Sequence, residues 1–226
     1  MKQIIIFLIS ALVFAACSSS PMTESPNEGY LDWSTITLKA STEVTSPTRA
    51  VPADLQIDIY KAGESTPFRT FAPGESSRRL SLPEGEYRLL AYTLNHDTEY
   101  TNNELGAPKY EAATTFTIEA AKVTKVALSV PMTNVAITFT LPEGIETTLP
   151  THSFIVQNSD ASRSLVLQDG ETGYFDCATT GTATLLYTLT MTNQDGEVFN
   201  RLGTLSAAQA GTQYSIDYRL ETLKLK

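Results

Sequence analysis

Residues 122–141 read KVTKVALSVPMTNVAITFTL, and this stretch decides the fold. Val126, Leu128 and Val130 alternate with Lys125, Ala127 and Ser129, and after Pro131-Met132-Thr133-Asn134 the alternation restarts with Val135, Ile137, Phe139 and Leu141. A period of two places successive side chains on opposite sides of a strand. One strand therefore ends and another begins almost at once, which predicts a domain boundary at residues 131–134. The expected domains cover 29–132 and 133–226, with one continuous sandwich as the alternative.

The same signature spreads outward from this point. Leu55, Ile57 and Ile59 alternate with Gln56, Asp58 and Tyr60, and Tyr87, Leu89 and Ala91 with Arg88, Leu90 and Tyr92. Ala183, Leu185, Tyr187, Leu189 and Met191 share one face beyond the boundary. Turn-forming pairs punctuate the runs at Pro73-Gly74, Asp169-Gly170 and Asp195-Gly196, the last reading as a hairpin tip. No stretch past the leader carries a 3.6-residue apolar stripe. Many short strands with regular turns predict an all-β chain, sandwich or barrel, in the two expected domains. The core of the first is expected to include Leu55, Ile57, Ile59, Tyr87, Leu89, Phe116, Val126 and Leu128. Leu-Pro-Glu-Gly occurs at 82–85 and again at 141–144, too short a match to establish a repeat.

At the N-terminus, MKQIIIFLISALVFAA over residues 1–16 has the charged start and short apolar run of a signal peptide. Ala15 and Ala16 precede Cys17, which is the position of the lipid acceptor in a bacterial lipoprotein, although Phe14 stands where the lipobox usually has Leu. The reading is a palmitate-bearing lipoprotein joined to a membrane through Cys17. Residues 17–28, CSSSPMTESPNE, form a stalk too polar to bury a core. Loss of Lys2 with the leader leaves 15 basic against 25 acidic residues, a net charge of −10. No basic cluster exists to neutralise phosphates, so nucleic acid is not an expected partner. With Cys17 acylated, Cys177 has no cysteine partner and is expected as a small packed residue.

The residues that could carry chemistry are sparse. His96 and His152 lack second ligands at zinc spacing, and no nucleophile elbow, phosphate-cradling loop or metalloprotease helix appears. No enzyme activity, metal or cofactor is expected. The polar segment 95–104, NHDTEYTNNE, reads as a solvated loop. Tyr92, Tyr100 and Tyr110 lie in or beside it and are the candidate contacts for a glycan, whereas Trp33 sits in an alternating strand and is expected in the core.

Gly29-Tyr30-Leu31, Thr48-Arg49-Ala50, LSLPEGEYRLLAY, KYEAATTFTIEAAKVTKVALSVPMTNVAITFTL, Gly173-Tyr174-Phe175 and TNQDGEVF follow one another in order. In these the chain resembles a family of two-domain Bacteroidetes envelope lipoproteins, similar in architecture to the fimbrillin-like subunits of type V pili. The resemblance covers the mature chain and implies location and fold more than activity. It implies two successive β-sandwich domains, immunoglobulin- or transthyretin-like in kind, a structural or adhesive role at the cell surface, and assembly with other envelope subunits by strand exchange. Proteolysis at Arg49-Ala50 would release residues 29–41 and leave a groove for a strand from the next subunit. The C-terminal run from Gln213 is a candidate donor, or simply the closing strand of the second domain. Ser18-Ser19-Ser20-Pro21 is not the acidic run of surface-exported lipoproteins, so the periplasmic face is the alternative location. The alternative function is a glycan-binding module accessory to carbohydrate uptake.

Overall fold

The structure, a computed structural model, describes residues 27–39, 55–75 and 79–218. The leader, Cys17, nearly all of the stalk and the Arg49-Ala50 bond lie outside the described residues. Strands β1 (Glu28–Lys39), β2 (Leu55–Lys61), β3 (Arg69–Phe71), β4 (Leu80–Pro83), β5 (Gly85–Thr93), β6 (Glu111–Ile118) and β7 (Val123–Pro131) come first. They are followed by β8 (Val135–Thr140), β9 (Thr151–Asn158), β10 (Ser164–Leu167), β11 (Thr172–Phe175), β12 (Thr182–Thr192), β13 (Val198–Gln209) and β14 (Gln213–Asp217). The chain is all-β and arranged as two sandwich-like units, as the alternation required.

Each unit pairs a three-stranded with a four-stranded sheet. The first has the orders β4-β1-β7 and β3-β2-β5-β6, and the second β11-β8-β14 and β10-β9-β12-β13. Numbered from its own first strand, each unit therefore has the same topology. In both, the first strand is the middle of the small sheet and runs parallel to the last strand, β1 with β7 and β8 with β14. The two Leu-Pro-Glu-Gly tetrapeptides do not mark this repeat: one closes β4 and the other follows β8.

Two separate cores form between the sheets. Leu31, Trp33, Leu55, Ile57, Ile59, Tyr87, Leu89 and Val126 are buried in the first, with Phe116 and Leu128 partly buried against it. Phe139 and Phe154 stack at 4.2 Å at the centre of the second, flanked by Val156, Phe175, Leu185 and Leu189. Trp33 is 1% exposed, and its ring meets the edge of Phe71 at 4.8 Å. Along β1 the register against β7 shifts between Asp32 and Thr35. An irregularity of that kind resets which residues share a face. Gly29 seats the start of β1: a Cβ there would lie 2.3 Å from the Glu119 carbonyl oxygen. Tyr30 N–H donates to the Lys122 carbonyl and Ala121 N–H to that of Glu28.

β14 is the closing strand of the second unit. Tyr214 and Ile216 pack against its core, which favours that role over a free donor for the C-terminal run.

Candidate functional site

Residues 94–110 connect β5 to β6 and cross to the second unit. The sequence alone reads residues 95–104 as a solvated loop, and most of these side chains are exposed in the structure. Its side chains over 101–105 are exposed, yet its backbone is tied strand-like to the edges of both sheets of the second unit. Asn103 N–H donates to the Ser164 carbonyl of β10, Ser164 N–H to Asn102 Oδ1, and Tyr174 N–H of β11 to the Leu105 carbonyl. Asn134, 1% exposed, accepts from Lys109 N–H at 3.1 Å and donates through Nδ2 to the Ala107 carbonyl at 2.9 Å. Lys109 Nζ reaches Asp176 at 2.8 Å.

Arg163, 7% exposed, closes this attachment. Its guanidinium donates to the carbonyls of Thr101, Glu104 and Tyr174 and lies within 5.5 Å of the ring centres of Tyr100 and Phe175. Burial pulls its pKa below the usual arginine value, and the Asp176 and Glu104 carboxylates oppose the shift. The turn beneath it needs glycine at 106, where φ is +76° and a Cβ would lie 3.1 Å from Tyr100 Cδ2.

A cleft of about 450 Å³ opens where this loop leaves the first unit, lined by Pro73, Thr93, Leu94, Asn95, Tyr100, Ala107, Pro108 and Tyr110. Leu94 is 66% exposed at its rim, and Asn95 Nδ2 donates to Tyr100 Oη at 3.1 Å. Two tyrosine rings, an aliphatic rim and a side-chain amide can offer stacking and polar contact to a small ligand.

Of the three tyrosines singled out from the sequence, the structure brings Tyr100 and Tyr110 together in this cleft and separates Tyr92 from them. Tyr92 Oη bonds Asp58 Oδ2 at 2.9 Å and accepts from Gln56 Nε2. Burial, and then the bond to Asp58, push its phenol up to about 12. Cys177 packs partly buried against the second core, and burial followed by the Asp176 charge pushes its thiol up to about 11. That is the environment of a packed thiol and not of a reactive thiolate. Among the described residues, no group of three or more His, Cys, Asp or Glu could hold a metal ion. The sequence reading missed Arg163, Lys109 and Asn134. The one signal for Asn134 was its place in the four-residue link, where a polar side chain that short can reach back to a crossing backbone.

A family model described as Domain of unknown function (DUF4493) matches residues 27–224. The chain belongs to this family. No curated protein matches it. Among solved structures, it is similar to a protein of Bacteroides uniformis provisionally named for cell adhesion, at 14% identity, TM-score 0.48, covering 84% of this chain and 93% of that one. A second, from Bacteroides eggerthii and named likewise, has 11% identity, TM-score 0.48, and 86% of each chain covered. A third, from Bacteroides thetaiotaomicron and provisionally named for polysaccharide binding, has 10% identity and TM-score 0.39, with 77% of this chain and 79% of that one covered. Likenesses this distant carry no activity across to a DUF4493 chain.

Proposed function

We propose that the chain is a structural or adhesive protein of the cell envelope, held to the outer membrane through lipid on Cys17, and that it assembles by exchange of β1. The observation that carries the reading is how β1 is held. It is the middle strand of its sheet, bonded on one side to β4 and on the other to β7, neither of which is its neighbour in sequence. Its covalent link to β2 runs through residues 40–54. A cut at Arg49-Ala50 therefore leaves β1 attached by two ladders and by the burial of Leu31 and Trp33. Its departure would open a slot with unpaired backbone on both sides, which recruits another strand.

Digestion of the purified mature protein with an arginine-specific protease tests this, with Arg49→Gln as the resistant control. A ladder of species larger than a dimer, appearing only in the cut wild type, is the expected result. A protein that is cut at Arg49 and stays no larger than a dimer overturns the exchange. Palmitate labelling lost in Cys17→Ala is the matching test of the anchor.

The Tyr100–Tyr110 cleft favours a second reading, a glycan-binding module of the cell surface. Leu94→Asp at its exposed rim should abolish retention on immobilised polysaccharide without changing the melting temperature. Retention equal to wild type speaks against the cleft.

A further inference from the structure

The four flanks of the two sandwiches are finished differently. Strands β3 and β4 are three and four residues long, β6 and β7 lie against one another, and loop 94–110 covers β10 and β11. The remaining flank carries β13, a 12-residue edge strand that hardly touches β14. Among the described residues no strand pairs with its outer side. Val198 is 60% exposed, Phe199 39% and Leu202 79%. Natural sheets blunt such edges with charge, proline, bulges or short strands. Here the sole charge is Arg201, and the register shift against β12 comes late, between Ala183 and Leu185.

The ladder shows which groups the edge offers. Asn193 N–H bonds the Glu197 carbonyl at the hairpin end, so bonded and non-bonded pairs alternate from there along β12 and β13. Val198, Asn200, Leu202 and Thr204 consequently turn their N–H and C=O groups away from β12.

We propose that β13 is a dimerisation edge, on which a second copy of this chain adds its own β13 antiparallel. The two four-stranded sheets then become one of eight strands. The choice of a second copy rests on self-complementarity of charge and side chain. With the two-fold axis at Leu202, the two Leu202 side chains face each other. Phe199 then falls opposite Leu205 of the second copy, Asn200 opposite Thr204, and Val198 opposite Ser206. Arg201 falls opposite Gly203 of the second copy. A two-fold axis at Arg201 would instead set two guanidiniums face to face, which disfavours that register. The strand carries no carboxylate to repel its copy, although the whole chain has a net charge of −9.

Sedimentation of the uncut mature protein over a range of concentrations is the test, so its outcome is independent of cleavage at Arg49. A monomer–dimer equilibrium is expected. Leu202→Lys, which opposes two ammonium groups on the axis, should weaken it roughly tenfold or more. Val123→Lys, on the edge strand β7, should leave it unchanged. Leu202→Pro should also abolish the dimer while the melting curve holds, because the Leu202 N–H does not bond β12. A protein that stays monomeric at every concentration overturns the proposal. So does a dimer that persists in both Leu202 variants.

Discussion

At the scale of single residues, Arg163 is one of several groups that attach loop 94–110 to the second unit, beside the Lys109–Asp176 pair and the backbone bonds of Asn103 and Leu105. A hydrogen bond to a charged group is worth roughly 1.5–3 kcal/mol, and Arg163 donates to three carbonyls that would otherwise be left without it. Arg163→Ala should therefore lower the melting temperature by many degrees. Arg163→Lys should recover only part of the loss, because an ammonium cannot span Thr101, Glu104 and Tyr174 at once. Equal melting temperatures for wild type and Arg163→Ala would show that the loop is held without it. Ile57 makes a different kind of contribution, being buried at the centre of the first core. Ile57→Ala should cost about 2–5 kcal/mol, read as a lower midpoint in denaturant. Cys177 adds a pH dependence with a definite sign. Its thiol is raised to about 11 in the folded protein against about 8.5 unfolded, so folding favours the neutral form. That contribution is fully present below the unfolded value and is lost as pH rises through the folded one. Thermal stability should fall over this alkaline range, and Cys177→Ser should fall less.

At the scale of elements, β1 is bound by two ladders and by a close approach at Gly29. Gly29→Ala forces a methyl group onto the Glu119 carbonyl and should loosen the start of β1. Faster amide exchange at residues 29–31, with β12 and β13 unchanged, is the expected outcome. The strands themselves were legible because burial on one face writes a period of two into the sequence, and β7 and β8 carry it most strictly. How loop 94–110 attaches to the second unit was not legible. Its polar composition is what solvent would select, yet the bonds that fix it are made by backbone groups and by Arg163, about 60 residues further along the chain. No local pattern records a contact of that range. The cleft is intermediate: Tyr100 and Tyr110 could be named from the sequence, but Leu94 and Pro73 join them only through the fold.

For the whole molecule, we propose that the sandwiches over 29–132 and 133–226 are separately folding domains, since their cores draw on different residues. Expressed apart, each half should unfold cooperatively, the first half with its loop 94–110 more open to proteolysis. Failure of both halves to fold would make the chain a single cooperative unit. The repeated topology could not be read from the sequence, because equal strand order does not require equal residues. It also has a mechanical meaning. In each unit the entering strand and the leaving strand are parallel neighbours, β1 beside β7 and β8 beside β14. A pull on the two ends of a unit therefore drags these strands past one another along their length. Every rung from Tyr30–Val123 to Lys39–Pro131 is strained together, instead of giving way singly as at a peeled hairpin. Tension along the first unit is therefore carried by the β1–β7 ladder as a whole.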